Sequence, residues 1–141
     1  MENLSFEHLK GQVCVITGGA GVIGSALSEG LAASGVKTVI LDLDENAARE
    51  KAQAITQKYG TESMGVGASV LDKESLKEAR EKIHKSFGKI NLLINGAGGN
   101  SPKATTQVEQ MEEKDLAELE NTFYGLEMEG FDKVFDLNFK G

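Results

Sequence analysis

The sequence predicts an α/β fold built on a doubly wound parallel sheet, and three observations carry that expectation. Four short apolar runs, at 13–17, 38–41, 63–70 and 90–94, alternate with three segments of helical period. The connections between them are short. A dense glycine cluster, Thr17-Gly18-Gly19-Ala20-Gly21-Val22-Ile23-Gly24, directly follows the first run. A β-α-β-α-β-α-β order requires crossover connections, which place parallel neighbours beneath helices. The right-handedness of such crossovers favours a doubly wound sheet.

The elements follow in order. Residues 13–17 are short and apolar throughout, as suits a strand buried on both faces. Ile23, Ala26, Leu27, Gly30 and Leu31 recur at helical spacing and predict the inward face of the first helix. Gly35 stops it. The run 38–41 is rich in β-branched residues and ends at Asp42. Asp44 is placed to cap a second helix, in which Ala48, Ala52, Ile55 and Tyr59 share one face, and Gly60 ends it. Residues 63–70 read as a weak, glycine-interrupted third strand. Asp72 caps a third helix with Leu76, Ala79, Ile83 and Phe87 inward and Gly88 as its terminator. The fourth run closes on Asn95-Gly96-Ala97-Gly98-Gly99. Residues 100–130 hold the only proline and eight acids, and read as a long, partly helical loop or lid. In the last segment Phe131, Val134, Phe135, Asn138 and Phe139 fall on one stripe, so Asn138 is expected to point inward. The whole of 1–141 reads as one domain, with 100–130 as a lid within it.

Composition narrows the partners. The formal net charge is −7 and no basic patch breaks it, which argues against nucleic acid and against an anionic membrane surface. No apolar run approaches the length of a membrane span. Residues 1–10 are polar and carry Glu2 and Glu7, unlike a signal peptide. Cys14 is the single cysteine and lies in an apolar run; it reads as a buried thiol of a cytoplasmic protein. His8 and His84 read as surface residues. No Cys/His spacing suits a metal, and the acidic stretch lacks a calcium-loop pattern.

The glycine cluster carries the chemistry. Gly19-Ala20-Gly21-Val22-Ile23-Gly24 satisfies G-x-G-x-x-G between a strand and a helix. Glycines there let backbone approach a pyrophosphate, and the helix N-terminus offers free N–H groups and partial positive charge. Ser25 rather than Lys follows Gly24, which excludes a mononucleotide P-loop. Asp42 comes 18 residues after Gly24, where an acid holds the ribose hydroxyls of a dinucleotide. A 2′-phosphate beside it would meet a repulsion of roughly 4 kcal/mol at 4 Å and an effective dielectric of 20, reduced by solvent. Leu43 offers no compensating cation. NAD is therefore expected over NADP. Asp42 also has a plain alternative role as a helix cap, which Asp44 fills better.

Thr17-Gly18 with the glycine loop, Asp42, the turn Asn95-Gly96-Ala97-Gly98 and Asn138 together resemble the short-chain dehydrogenase/reductase family. The resemblance implies a Rossmann-type sheet, present here as β1 to β4 plus the start of the following helix. It implies cofactor contacts from Gly18, Gly19, Gly21, Val22, Ile23, Gly24, Asp42, Leu43, Ser69, Val70, Asn95, Gly96, Ala97 and Gly98. Three positions depart from the family pattern. A family glycine expected at Val22 stands at Gly21, Gly96 replaces the second Asn of an N-N-A-G turn, and Ser69 stands where an acid contacts adenine. By resemblance Asn138 is the catalytic Asn, which holds a water that links the family's lysine to solvent. An Asn bonding a neighbouring backbone is the structural alternative. The family's Tyr-x-x-x-Lys pair is missing, because Ser63 follows Tyr59 and Met128 follows Tyr124 at that spacing. The chain thus reads as the N-terminal half of a dehydrogenase, inactive alone. Residues 98–106 and 131–141 resemble the family's D-mannonate oxidoreductase group. That implies a sugar-acid substrate whose carboxylate Lys103 would meet, and a homo-oligomer at full length. The alternative function is a non-catalytic NAD-binding module or redox sensor.

Overall fold

The structure, a computed structural model, describes residues 6–141. The reading of 1–10 as a non-signal segment therefore lies outside the described residues at 1–5. The chain forms two compact units, one running to Ala97 and the other from Gly98 to Gly141.

In the first unit the strands are β1 (Val13–Thr17), β2 (Lys37–Asp42), β3 (Ser63–Gly67) and β4 (Leu92–Asn95). They form one sheet in the order β3-β2-β1-β4, and every pairing is parallel. Helices α1 (Val22–Ala33), α2 (Glu45–Tyr59) and α3 (Lys73–Phe87) make the crossovers. The predicted Rossmann-type α/β sheet is present. Alternation along β1 separates the two faces. Val13 and Val15 join Val39, Leu41, Val66 and Ala68 beneath Ala79 and Ile83 of α3. Cys14 and Ile16 face the other way, toward Val36 and Leu31. On that same side Ile40 packs with Ala32 of α1 and with Ala48, Ala52 and Ile55 of α2. Burial pushes the Cys14 thiol up to about 11, and the thiol donates to the Val15 carbonyl at 3.8 Å, so it is held as an inert core group.

The second and third helices bury the faces their periodicity predicts, and Asp44 and Asp72 each cap a helix by accepting two backbone N–H bonds. The first helix departs from prediction. Ile23 is 76% exposed and Leu27 41%, and the buried positions are Gly24, Ser25, Ser28 and Ala32. The reason is close approach. Small residues let α1 lie directly on the glycine loop, with the Ser25 hydroxyl within 3.3 Å of the Gly19 carbonyl and 3.2 Å of the Ala20 carbonyl. β3 is shorter than the run 63–70 and stops at Gly67. Its Gly65 is where the backbone of α2 at Ala48 and Arg49 presses on the strand, so the residue that weakens the strand pattern is the one that admits the helix.

The second unit opens as a loop of 3-10 turns at Pro102–Ala104, Glu113–Ala117, Leu119–Asn121 and Phe123–Gly125. Helix α4 (Met128–Phe135) follows and runs into a π-helical turn, Asp136–Lys140. The predicted inward stripe does not form. Phe135 is 60% and Phe139 83% exposed, and Asn138 is exposed as well. Phe135 is exposed already within α4; beyond it the π turn carries more residues per turn than an α-helix, so the 3.6-residue stripe drifts further at Asn138 and Phe139. Asn138 is held by polar partners, not by phenylalanines. Among the described residues no helix is long and apolar enough to cross a membrane, and no group of three His, Cys, Asp or Glu is placed to hold a metal.

Candidate cofactor site

In the first unit the candidate residues gather at the C-terminal ends of β1, β2 and β4, which the parallel register places side by side through Thr17, Leu41 and Asn95. Gly18 turns the chain with φ +63, a left-handed conformation that favours glycine. A side chain there would stand 2.8 Å from the Gly96 carbonyl oxygen, and one at Gly19 2.8 Å from that of Ile16. At Gly24 it would run into the Gly18 carbonyl and lie 2.8 Å from the Gly19 Cα. These three glycines are thus demanded by the fold's own packing. Gly21 is different. A Cβ there would meet only the Gly18 carbonyl oxygen, at 3.2 Å. Gly21 is the N-cap of α1, and this cap differs from those of the other two helices of the unit. No side chain caps it and no acid stands in its first turn, whereas α2 and α3 each carry both. Val22, in that turn, is 91% exposed. An open helix N-terminus with its negative competitors removed fits a phosphate.

Asp42 ends β2 beside this loop. Its Oδ2 accepts the Ala20 N–H at 3.0 Å and its Oδ1 accepts the Asp44 N–H at 3.2 Å. A carboxylate oxygen has capacity for further donors, so the ribose hydroxyls the sequence predicts still have acceptors. Leu43, next in sequence, is 80% exposed. Ser69 and Val70 follow β3, both half-buried. The Ser69 N–H donates to the Ser75 hydroxyl at 3.1 Å, and its own hydroxyl accepts the Leu71 N–H at 3.3 Å. The geometry fits a dinucleotide: an open helix end for the pyrophosphate, an acid for a ribose, and a half-buried Ser-Val step for a base.

One residue of this site was missed by the sequence reading. The buried Thr17 hydroxyl accepts the N–H groups of Gly96 at 3.0 Å and Ala97 at 3.1 Å. It ties the turn after β4 to the end of β1. The available signal was a polar residue closing an otherwise apolar strand. Thr17→Val should orphan two backbone donors and lower stability by about 1–3 kcal/mol, with Thr17→Ser largely sparing it. Urea unfolding of the two variants checks this, and equal stability would remove the hydroxyl's role.

The remaining candidates lie in the second unit. The Asn138 side chain pairs with the Gly99 backbone at two points: its Oδ1 accepts the Gly99 N–H at 3.1 Å and its Nδ2 donates to the Gly99 carbonyl at 2.7 Å. Nδ2 also donates to the Val134 carbonyl at 2.9 Å. A side chain on Gly98 would sit 2.6 Å from Asn138 Oδ1. Lys103 is exposed and donates to Glu127 and Glu129, each at 3.0 Å. These hydrogen bonds, to Glu127 first and then Glu129, hold its pKa above the ordinary lysine value.

A four-stranded parallel sheet with a glycine turn and an acid at the end of its second strand defines a dinucleotide-binding protein of Rossmann type. The sequence profile of the short chain dehydrogenase family matches residues 12–141, and the chain belongs to that family. It is 44% identical over 138 residues to an uncharacterized oxidoreductase, UxuB, of Bacillus subtilis, covering 96% of this chain and 47% of the relative. An uncharacterized oxidoreductase of Haemophilus influenzae is 40% identical over 140 residues, covering 99% of this chain and 48% of the relative. Among solved structures, a protein from Haemophilus influenzae provisionally named a D-mannonate oxidoreductase, with bound NAD, superposes with a TM-score of 0.86. It is 40% identical and the match covers 93% of this chain and 46% of that one. The chain therefore spans about half the length of the relatives it matches.

Proposed function

We propose that the protein is an NAD-dependent oxidoreductase acting on the alcohol or ketone of a sugar acid, with D-mannonate and D-fructuronate as the substrate pair. The observation that carries the NAD part of this reading is the uncapped N-terminus of α1, with no acid in its first turn, beside Asp42. NAD, when bound, supplies the hydride acceptor. The backbone of Gly18, Gly19, Gly21, Val22, Ile23 and Gly24 would hold its pyrophosphate. Asp42 would take a ribose, Leu43, Ser69 and Val70 the adenine, and Asn95, Gly96, Ala97 and Gly98 the rest of the cofactor. The sugar-acid assignment is supported by the structural relative's name and by the loop at 98–106. A cytoplasmic homo-oligomer with a small-molecule substrate belongs to the same reading.

Lys103 is the proposed carboxylate partner of the substrate. Because it already bonds Glu127 and Glu129, the substrate would displace one of them. The 141 residues alone are expected to be inactive, so the test is oxidation of D-mannonate by the whole protein as its source cells make it. NADH formation with mannonate is the expected result, and Lys103→Ala should raise KM with kcat retained. A protein that reduces NAD with other sugar alcohols but never with mannonate would overturn the substrate.

A further inference from the structure

In the second unit α4 and the π turn that continues it touch the loop that follows Gly98 at two places, one at each end of the helical segment. At the start of this helix the Glu127 N–H donates to the Lys103 carbonyl at 2.9 Å. Within the first turn stands Gly130, the one buried residue of α4. A side chain there would lie 2.6 Å from the Lys103 carbonyl carbon, 2.7 Å from its Cβ and 2.8 Å from the Ala104 nitrogen. The backbone of the Pro102–Ala104 turn thus rests directly on the helix. Close approach, not a left-handed conformation, is what asks for glycine here. The loop 99–103 is then gripped at both ends, at Gly99 by Asn138 and at Lys103 by Gly130. Its middle is seated by Ser101, which is 3% exposed. The backbone joining 130 to 138 is α-helical as far as Phe135, a rise of about 7.5 Å over those five steps, and π-helical from Asp136 on. A lift at one end tips the other.

We propose that Gly130 is a positioning residue, whose missing side chain seats α4 on the Lys103 backbone and so holds Asn138 in register with Gly99. Its bearing on catalysis rests on Asn138 belonging to the proposed active site; the coupling itself does not. A two-point amide pairing tolerates little displacement, because both hydrogen bonds weaken together as the groups slide.

The test reads amides, not turnover. In this chain, Gly130→Ala should speed hydrogen exchange at the Gly99 N–H by at least about threefold. It should also move the Asn138 side-chain NH2 resonances, with the β1 amides unchanged. In an Asn138→Ala background the same substitution should add nothing at Gly99, the non-additivity expected of residues that act through one another. Unchanged Gly99 exchange and Asn138 signals would overturn the proposal. Equal acceleration with and without Asn138 would do the same. If Gly130→Ala unfolds the unit, Glu127→Gln with Glu129→Gln removes instead the side-chain bonds that hold Lys103 to the start of the same helix. Faster Gly99 exchange in that double variant supports the coupling, and no change refutes it. A protein without dehydrogenase activity would overturn the functional reading and leave these outcomes untouched.

Discussion

Gly24→Ala is expected to abolish NAD binding and to lower stability by about 1–3 kcal/mol, the usual cost of forcing a methyl into a packed site. The new Cβ would collide with the Gly18 carbonyl and approach the Gly19 Cα and Gly18 carbonyl carbon at 2.8 and 3.0 Å. All three are backbone atoms, so no side chain can swing aside. Relief would come from lifting α1 off the loop, and that moves the very N–H groups that would meet the pyrophosphate. Gly30→Ala is the contrast. It lies in the same helix with nothing within 4 Å of the added carbon. It should gain about 0.5–1 kcal/mol from helix propensity alone. Urea unfolding and calorimetric titration with NAD on both variants make the comparison. Equal NAD affinity in the two would show that the contact at Gly24 does not shape the loop.

Asp42→Ala is expected to weaken NAD binding by at least about tenfold, or 1.4 kcal/mol, and to erase the preference over NADP. Two effects add. The carboxylate loses its proposed bonds to the ribose hydroxyls. It also releases the Ala20 N–H, which it holds at 3.0 Å, so the glycine loop loses a tether. The second effect lowers affinity for both cofactors. The first acts on their ratio, because removing a negative charge removes its repulsion toward a 2′-phosphate. Titration of wild type and variant with NAD and NADP separates the two. An unchanged NAD-to-NADP ratio would show that Asp42 serves only as the loop's tether.

Much of the first unit was legible because its signals are local. Asp44 and Asp72 cap helices by bonds to their own next residues. The faces of α2 and α3 could be read because each packs against a single sheet surface. The face of α1 could not be read that way. Its Gly-Ser-Ser-Ala side is less apolar than its Ile-Leu side, yet it is the buried one. Periodicity ranks faces by hydrophobicity and is blind to how near two backbones come. Thr17 was hidden for a related reason, since its two donors stand 79 and 80 residues away in sequence. The stripe at 131–139 failed first at Phe135, exposed within α4, and then at Asn138 and Phe139, where a π turn changes the period on which the stripe is counted.

The sequence by itself determined the α/β order, the parallel sheet, the glycine loop and the acid that follows it. Spacing along one chain decides each of these, whether by helical period, by cap or by a strand-turn-helix motif. Only the tertiary structure decided which glycines of the loop the packing demands and which it leaves nearly uncrowded. It also decided that Asp42 grips the loop, that Thr17 fastens the turn after β4, and that Asn138 meets the backbone of Gly99. These are meetings between segments distant in sequence, settled by close approach and by where buried hydrogen-bonding groups find partners.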